Sequence, residues 1–243
     1  VANVNLTSGT ISGGTINASN QHTVSSGTIA STATLGGAGA LSKTSSGTTT
    51  FAGTGSYSGA TTISAGTLTV TGALSNTTEV TLSGGTMNLN STSAVNSSAD
   101  MTVSSGSLNV NENITVADFT SSSGTTTTIA SGRMLTVNPG TANNDIYGLA
   151  GSGGFKKMGS VRSILRGTHS YTGETRVTEG ILQLASGGSI NSSTDLIIES
   201  GAEFDLDESI TAASLADAGN VDVASSKVLT INGSGTKTFS GRL

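Results

Sequence analysis

A chain of 243 residues with 34 Gly, a single Pro, no Cys and no Trp excludes a core built around large rings or held by disulfides. Aromatic residues make up 3% and charged residues 10%, and the net charge of -5 is too small to signal disorder in a chain so rich in Val, Ile and Thr. Ten Lys and Arg face fifteen Asp and Glu, and the basic residues never run beyond Lys156-Lys157, which excludes a nucleic-acid footprint.

Along the chain one short phrase recurs: SGTI at 8–11 and again at 26–29, AGTLTV at 65–70, GGTMNL at 84–89, SGSLNV at 105–110, SGRMLTV at 131–137, EGILQL at 179–184 and SGAEFDL at 200–206. Each pairs a glycine with a run of alternating apolar and polar residues. Repeats of roughly 18 to 26 residues, each holding two or three such runs, predict an all-β fold, a right-handed parallel β-helix (β-solenoid) of roughly 11 coils. A strand of four or five residues cannot stand alone. Stacked about 4.8 Å from its copies, it satisfies its backbone groups and turns its apolar residues inward. The glycines, among them Gly66, Gly85, Gly106, Gly180 and Gly201, are expected at the corners, where a positive φ is needed.

A larger repetition lies above the coil. Residues 35–90 recur as 149–207 at an offset of 114, which sets Gly39, Lys43, Tyr57, Gly59, Gly66 and Leu68 on Gly153, Lys157, Tyr171, Gly173, Gly180 and Leu182. The offset then grows by two: Leu74–Leu82 answers Ile190–Ile198, and 95–103 is a third copy of that element. The whole of 1–243 therefore reads as one continuous solenoid segment of a longer repeat protein, in which coils are duplicated or lost as units.

At GALSKTSSGTTTFAGTGSYSGATTISAGTLTV, residues 39–70, and GGFKKMGSVRSILRGTHSYTGETRVTEGILQL, residues 153–184, the sequence resembles the autotransporter-associated β-strand repeat of bacterial type V secreted passenger domains. The second half of that pattern, Y-x-G-x-T-x-I-x-x-G-x-L, fits both copies. The departures are Ser45 and Thr49 in the first copy and Val161, Arg162 and Arg166 in the second. The resemblance implies a parallel β-helix stalk on an extracellular or outer-surface protein. No stretch approaches the roughly 20 consecutive apolar residues of a membrane helix, so no membrane insertion is expected in this segment.

Chemistry is sparse. In ESGAEFDLDES, residues 199–209, alternation sets Glu203, Asp205 and Asp207 on one face about 6.6 Å apart, a spacing open to glycoside acid/base work or to weak Ca²⁺ binding. Arg162, Arg166 or Arg176 would then stabilise charge in a carbohydrate-active β-helix. The copies of Asp205 and Asp207 are Asn88 and Asn90, and Asn109 and Asn111, which marks these as outward polar positions of every coil.

His22 and His169 lie far apart among Ser, Thr and Gly, and the expectation is a surface position for both, with no triad and no transition-metal site. The glycine clusters at 36–39 and 151–154 precede no helix and carry no P-loop Lys-Ser/Thr. Tyr57 and Tyr171 share one repeat position and are expected to stack on neighbouring coils, and Lys43 and Lys157 share another. Thr-rich stretches at 48–50 and 125–128 raise ice binding, but the expectation is that variable coil length and mixed polar rows break the regular Thr-x-Thr ranks this needs.

The reading is a non-catalytic structural and interaction protein, with no cofactor. It would act as stalk, adhesive passenger or filament segment, stack on neighbouring repeats or identical chains, and have a host-surface or glycan receptor as a possible partner.

Overall fold

The computed structural model describes residues 1–140, 142–234 and 236–243. Among them there is no helix; parallel strands stack as a right-handed β-solenoid of about 12 turns. The chain divides into two compact units, Val1–Ala117 and Asp118–Leu243. Among the described residues no helix is long and apolar enough to cross a membrane.

In the first unit each coil contributes to as many as three stacks. Asn3–Leu6, Gln21–Val24, Ala40–Lys43 and Thr61–Ile63 pair in parallel and lead onto the first part of Glu79–Leu89, which pairs with Asp100–Val110. Thr10–Ile11, Gly27–Ile29, Thr48–Phe51 and Thr67–Val70 lead onto the later part of the same two long strands. Gly14–Asn17, Ala33–Gly36, Thr54–Gly55 and Ala73–Leu74 form the third stack. Successive rungs of the first stack lie 18 to 21 residues apart, as Asn3↔Gln21 and Val80↔Met101 show. Gly85 and Gly106 lie inside 11-residue strands that turn the corner through a register shift after Leu82.

The second unit repeats the plan. Met134–Val137, Gly154–Lys157, Thr175–Val177, Asp195–Ile198 and Ser214–Ala216 form one stack. Asn144–Ile146, Ser163–Leu165, Ile181–Leu184, Glu203–Leu206 and Asn220–Val223 form another.

The core is a set of ladders rather than a single cluster. Ile11, Ile29, Phe51, Val70, Leu89 and Val110 follow one another in register, and all but Ile11 are fully or nearly fully buried. Ile146, Leu165, Leu184 and Leu206 do the same in the second unit. Each rung sits between like side chains, so burial of an aliphatic residue contributes about 1.5–3 kcal/mol while strand pairing satisfies the backbone around it.

Candidate functional site

Polar side chains occur in two settings, within the ladders and on the outer faces. The interior ones carry the internal repeat. Lys43 and Lys157 occupy inward rungs and are fully buried. The Lys157 ammonium donates to the carbonyls of Met158 at 2.8 Å, Gly159 at 2.5 Å and Glu179 at 2.9 Å. Lys43 does the same work with the carbonyls of Ser45 and Ala65. Each lysine thus caps the corner of its own coil and that of the next, where strand pairing leaves carbonyls free. Burial lowers both lysines below the usual range, Lys157 to about 8 against the opposing charge of Glu179.

Tyr57 and Tyr171 are fully buried, and each hydroxyl pairs with the threonine four residues on, Tyr57 with Thr61 at 2.7 Å and Tyr171 with Thr175. Desolvation raises both phenols well above their ordinary range. Thr61 donates onward to Thr77, whose single hydroxyl proton lies between the carbonyl oxygens of Gly59 at 3.0 Å and Glu79 at 2.9 Å; Thr194 donates to the carbonyl of Tyr171. The offset of 116 pairs Thr77 with Ser193, but the buried hydroxyl of the second copy belongs to Thr194, one residue later.

The two histidines are buried, not exposed. His22 is a rung of the Val4, His22, Leu41, Thr61, Val80 ladder. Its Nε2–H donates to the Gly36 carbonyl at 2.9 Å, and its ring lies 5.7 Å from that of Tyr57. His169 accepts from the Leu149 amide at 3.3 Å through Nδ1 and meets Tyr171 edge-on at 6.4 Å. Burial lowers both imidazoles, His169 to about 4, with the backbone of Arg166 opposing. The alternation that places Val24 and Tyr171 inward also places His22 and His169 inward, two residues before each. A histidine among Ser, Thr and Gly is therefore assigned by phase, not by the polarity of its neighbours.

The corner glycines are stacked. Gly66, Gly85, Gly106, Gly180 and Gly201 all have positive φ, between 66° and 89°. A Cβ on Gly85 would lie 2.3 Å from the Gly66 carbonyl oxygen, and one on Gly106 2.4 Å from that of Gly85, so backbone touches backbone from coil to coil. Gly201 differs, since a Cβ there meets nothing within 4 Å.

On the outside of the second unit, Asp145, Ile164, Gln183, Asp205 and Asp222 form one outward rank. Arg162 reaches across two coils, donating to Gln183 at 2.9 Å and to Asp205 at 3.0 Å, while Gln183 donates to Asp207 at 2.5 Å. Partial burial raises the Asp205 carboxyl, helped by Asp207 and Asp222 and opposed by Arg162. Arg166 instead pairs with Asp145 at 2.6 Å, and Arg176 with Glu174 and Glu199 at 2.9 and 3.0 Å.

Of the three arginines considered for a carbohydrate-active centre, only Arg162 therefore reaches the Asp205 carboxylate among the described residues. Glu203, Asp205 and Asp207 are not brought together as ligands: no group of three or more His, Cys, Asp or Glu that could hold a metal ion exists among the described residues. A hollow of about 260 Å³ over the Glu203–Leu206 and Asn220–Val223 strands is lined by Glu203, Asn220, Asp222 and Arg242, and includes neither Asp205 nor Asp207.

Two segments that frame this buried lysine, tyrosine and threonine chemistry also match a known repeat. The passenger-associated-transport-repeat model matches residues 41–70 and 164–184. It is a repeat family of autotransporter passenger domains. The first match spans Lys43, Tyr57, Thr61 and Gly66. The second spans Tyr171, Thr175 and Gly180 and begins after Lys157, so the structural equivalence of the two copies extends beyond the matched residues. No curated protein and no solved structure matches the chain. The passenger repeat and the solenoid together fit an autotransporter passenger stalk, a class of secreted or surface-exposed proteins, and the repeat family suggests a structural, non-enzymatic role.

Proposed function

We propose that this chain is a non-catalytic structural and interaction segment of the bacterial cell surface, a rigid stalk or adhesive passenger that works by holding an extended patterned exterior in fixed register. The observation that carries this reading is where the polar groups go. The buried lysines, tyrosines and threonines of both large repeats bond to corners and carbonyls of the coil itself, and Arg162, Arg166 and Arg176 are held by carboxylates of neighbouring rungs. Such a scaffold leaves its outer faces free for contact. Neighbouring repeats or identical chains are natural partners, because every coil offers the next a ladder of the same spacing; a glycan or a host surface is the further partner class.

The test is display and turnover together. Fused to a heterologous autotransporter barrel, the segment is expected on the cell surface as a folded, protease-resistant passenger that cleaves nothing in a panel of surface glycans. Glycan cleavage that disappears in Asp205→Asn with Asp207→Asn would replace this reading with the carbohydrate-active one, for which the raised Asp205 carboxyl is the observation in favour.

A further inference from the structure

The first unit carries a second regularity on the outside of the stack that holds Thr48–Phe51 and Thr67–Val70. Outward residues of four successive coils fall into two ranks. One rank is Thr48, Thr67, Thr86 and Ser107. The other is Thr50, Thr69, Asn88 and Asn109, and it runs on in register through Thr28 and Thr10. The rows are mixed as expected, with Thr-x-Thr at 48/50 and 67/69, then Thr86-x-Asn88 and Ser107-x-Asn109, but the expected loss of register with coil length does not occur on this face. Coil length varies, but the variation is absorbed elsewhere, and the strands stay in register.

The two ranks make a nearly rectangular lattice, about 4.8 Å from coil to coil and about 6.6 Å from rank to rank along the strand. Its points are fixed from beneath and from the side. The residues between the ranks, Leu68, Met87 and Leu108 among them, are fully buried and anchor each strand. Asn109 donates to Asn88 at 2.8 Å and Asn88 to Thr69 at 2.9 Å, so the amides are held in line along the solenoid. Threonine is stiff at χ1, so the hydroxyl and methyl of Thr48, Thr50, Thr67, Thr69 and Thr86 keep their places. The strands Thr10–Ile11, Gly27–Ile29, Thr48–Phe51 and Thr67–Val70, with residues 86–89 and 107–110, contain no charged side chain and no aromatic ring other than the buried Phe51.

We propose that this face binds the surface of ice. An ice face is a neutral, two-dimensional, periodic array of hydrogen-bonding oxygens, and its counterpart must offer hydroxyls and methyls at matching intervals without charges that hold their own hydration. The other periodic ligands fit less well: anionic polymers would require basic residues, and sugars favour an exposed aromatic platform. The face is small, four coils in full double rank, so adsorption should slow the recrystallisation of ice and place the protein within growing ice while depressing the freezing point little. This inference does not depend on the display role proposed above.

The experiment uses the 243-residue chain, fluorescently labelled, in an ice-incorporation assay and a recrystallisation assay beside an inert protein of similar size. Incorporation and inhibition are expected for the unsubstituted chain, and loss of both for Thr67→Lys and for Thr69→Lys. Both should be retained in Thr62→Lys, whose outward threonine lies in a different stack, between Ser42 and Thr81. Should a lysine variant fail to fold, Thr67→Ser with Thr69→Ser keeps the hydroxyls and removes the methyls, and weaker inhibition is expected. Exclusion of the unsubstituted chain from ice, or equal loss in Thr62→Lys, would overturn the proposal. So would exclusion from ice combined with capture on an insoluble neutral glycan that Thr67→Lys abolishes.

Discussion

Lys156 and Lys157 are neighbours in sequence and point to opposite sides of the same strand, Lys156 toward solvent and Lys157 fully buried on three carbonyls. The pair separates what charge does outside this fold from what it does inside. Lys157→Met should cost about 2–4 kcal/mol, because the corner carbonyls lose their donors. Lys156→Met should stay within about 0.5 kcal/mol. Urea midpoints of the two variants check this, and equal shifts would contradict the corner-capping role.

The buried imidazoles set a pH dependence. His169 is held neutral in the folded chain down to about 4, whereas in the unfolded chain it takes up a proton near its ordinary 6.5. Between these values the unfolded state binds more protons, so stability falls as pH falls from 6.5 to 4 and the imidazole contribution levels off below that. The loss attributable to His169 is on the order of 3 kcal/mol, and His22 adds to it in the same direction. Glu208, held down from its ordinary 4.5 to about 2 by Lys227 and the Gly187 and Ser209 amides, adds a loss that begins only at the low end of this window and continues below it. Melting temperatures from pH 7 to 4 are expected to fall for the unsubstituted chain and to fall less for His169→Leu.

Glycine is required for two different reasons. At Gly66 a Cβ would approach the carbonyl oxygens of Ser45 and Gly47 to 2.3 and 2.4 Å and the Lys43 ammonium to 2.6 Å, and φ is +67°. At Gly201 only the φ of +86° opposes a side chain. Gly201→Ala should therefore cost about 1–2 kcal/mol. Gly66→Ala should cost clearly more, because it adds coil-to-coil collision to the same backbone strain. Thermal unfolding of the two variants distinguishes the causes.

The ladder positions predict their own contrast. Leu68→Ala removes a fully buried rung between Thr49 and Met87 and should cost about 2–5 kcal/mol. Asn109→Ala removes one outward hydrogen bond to Asn88 and should cost about 0.5–1.5 kcal/mol. Denaturant midpoints that moved by the same amount would contradict this assignment of the two faces.

Much of this was legible in the sequence. Alternation around each glycine places Leu68, Leu182 and Phe204 inward and Asn88, Asn109 and Asp205 outward, and the offset of 114 pairs Lys43 with Lys157 and Tyr57 with Tyr171. Composition misleads where a polar residue holds an inward phase. His22, His169, Thr49 and Ser163 are all buried because the strand period, not side-chain polarity, fixes direction. The alignment of the outward Thr, Ser and Asn ranks was hidden for a different reason: register depends on pairing across coils, and coils of unequal length can keep their strands aligned by changing their loops. The partners of the arginines were not readable at all, since Arg162 and Asp205 lie 43 residues apart and meet only after two turns of the solenoid.

The central claim, that inward side chains stack in parallel register one coil to the next, is tested most directly by methyl-resolved NMR on Leu68. The fold predicts contacts from its methyls to the Met87 methyl on one side and to Thr49 on the other, each 19 residues away. Contacts instead to an antiparallel partner among residues 61–63, with none to Met87 or Thr49, would contradict it.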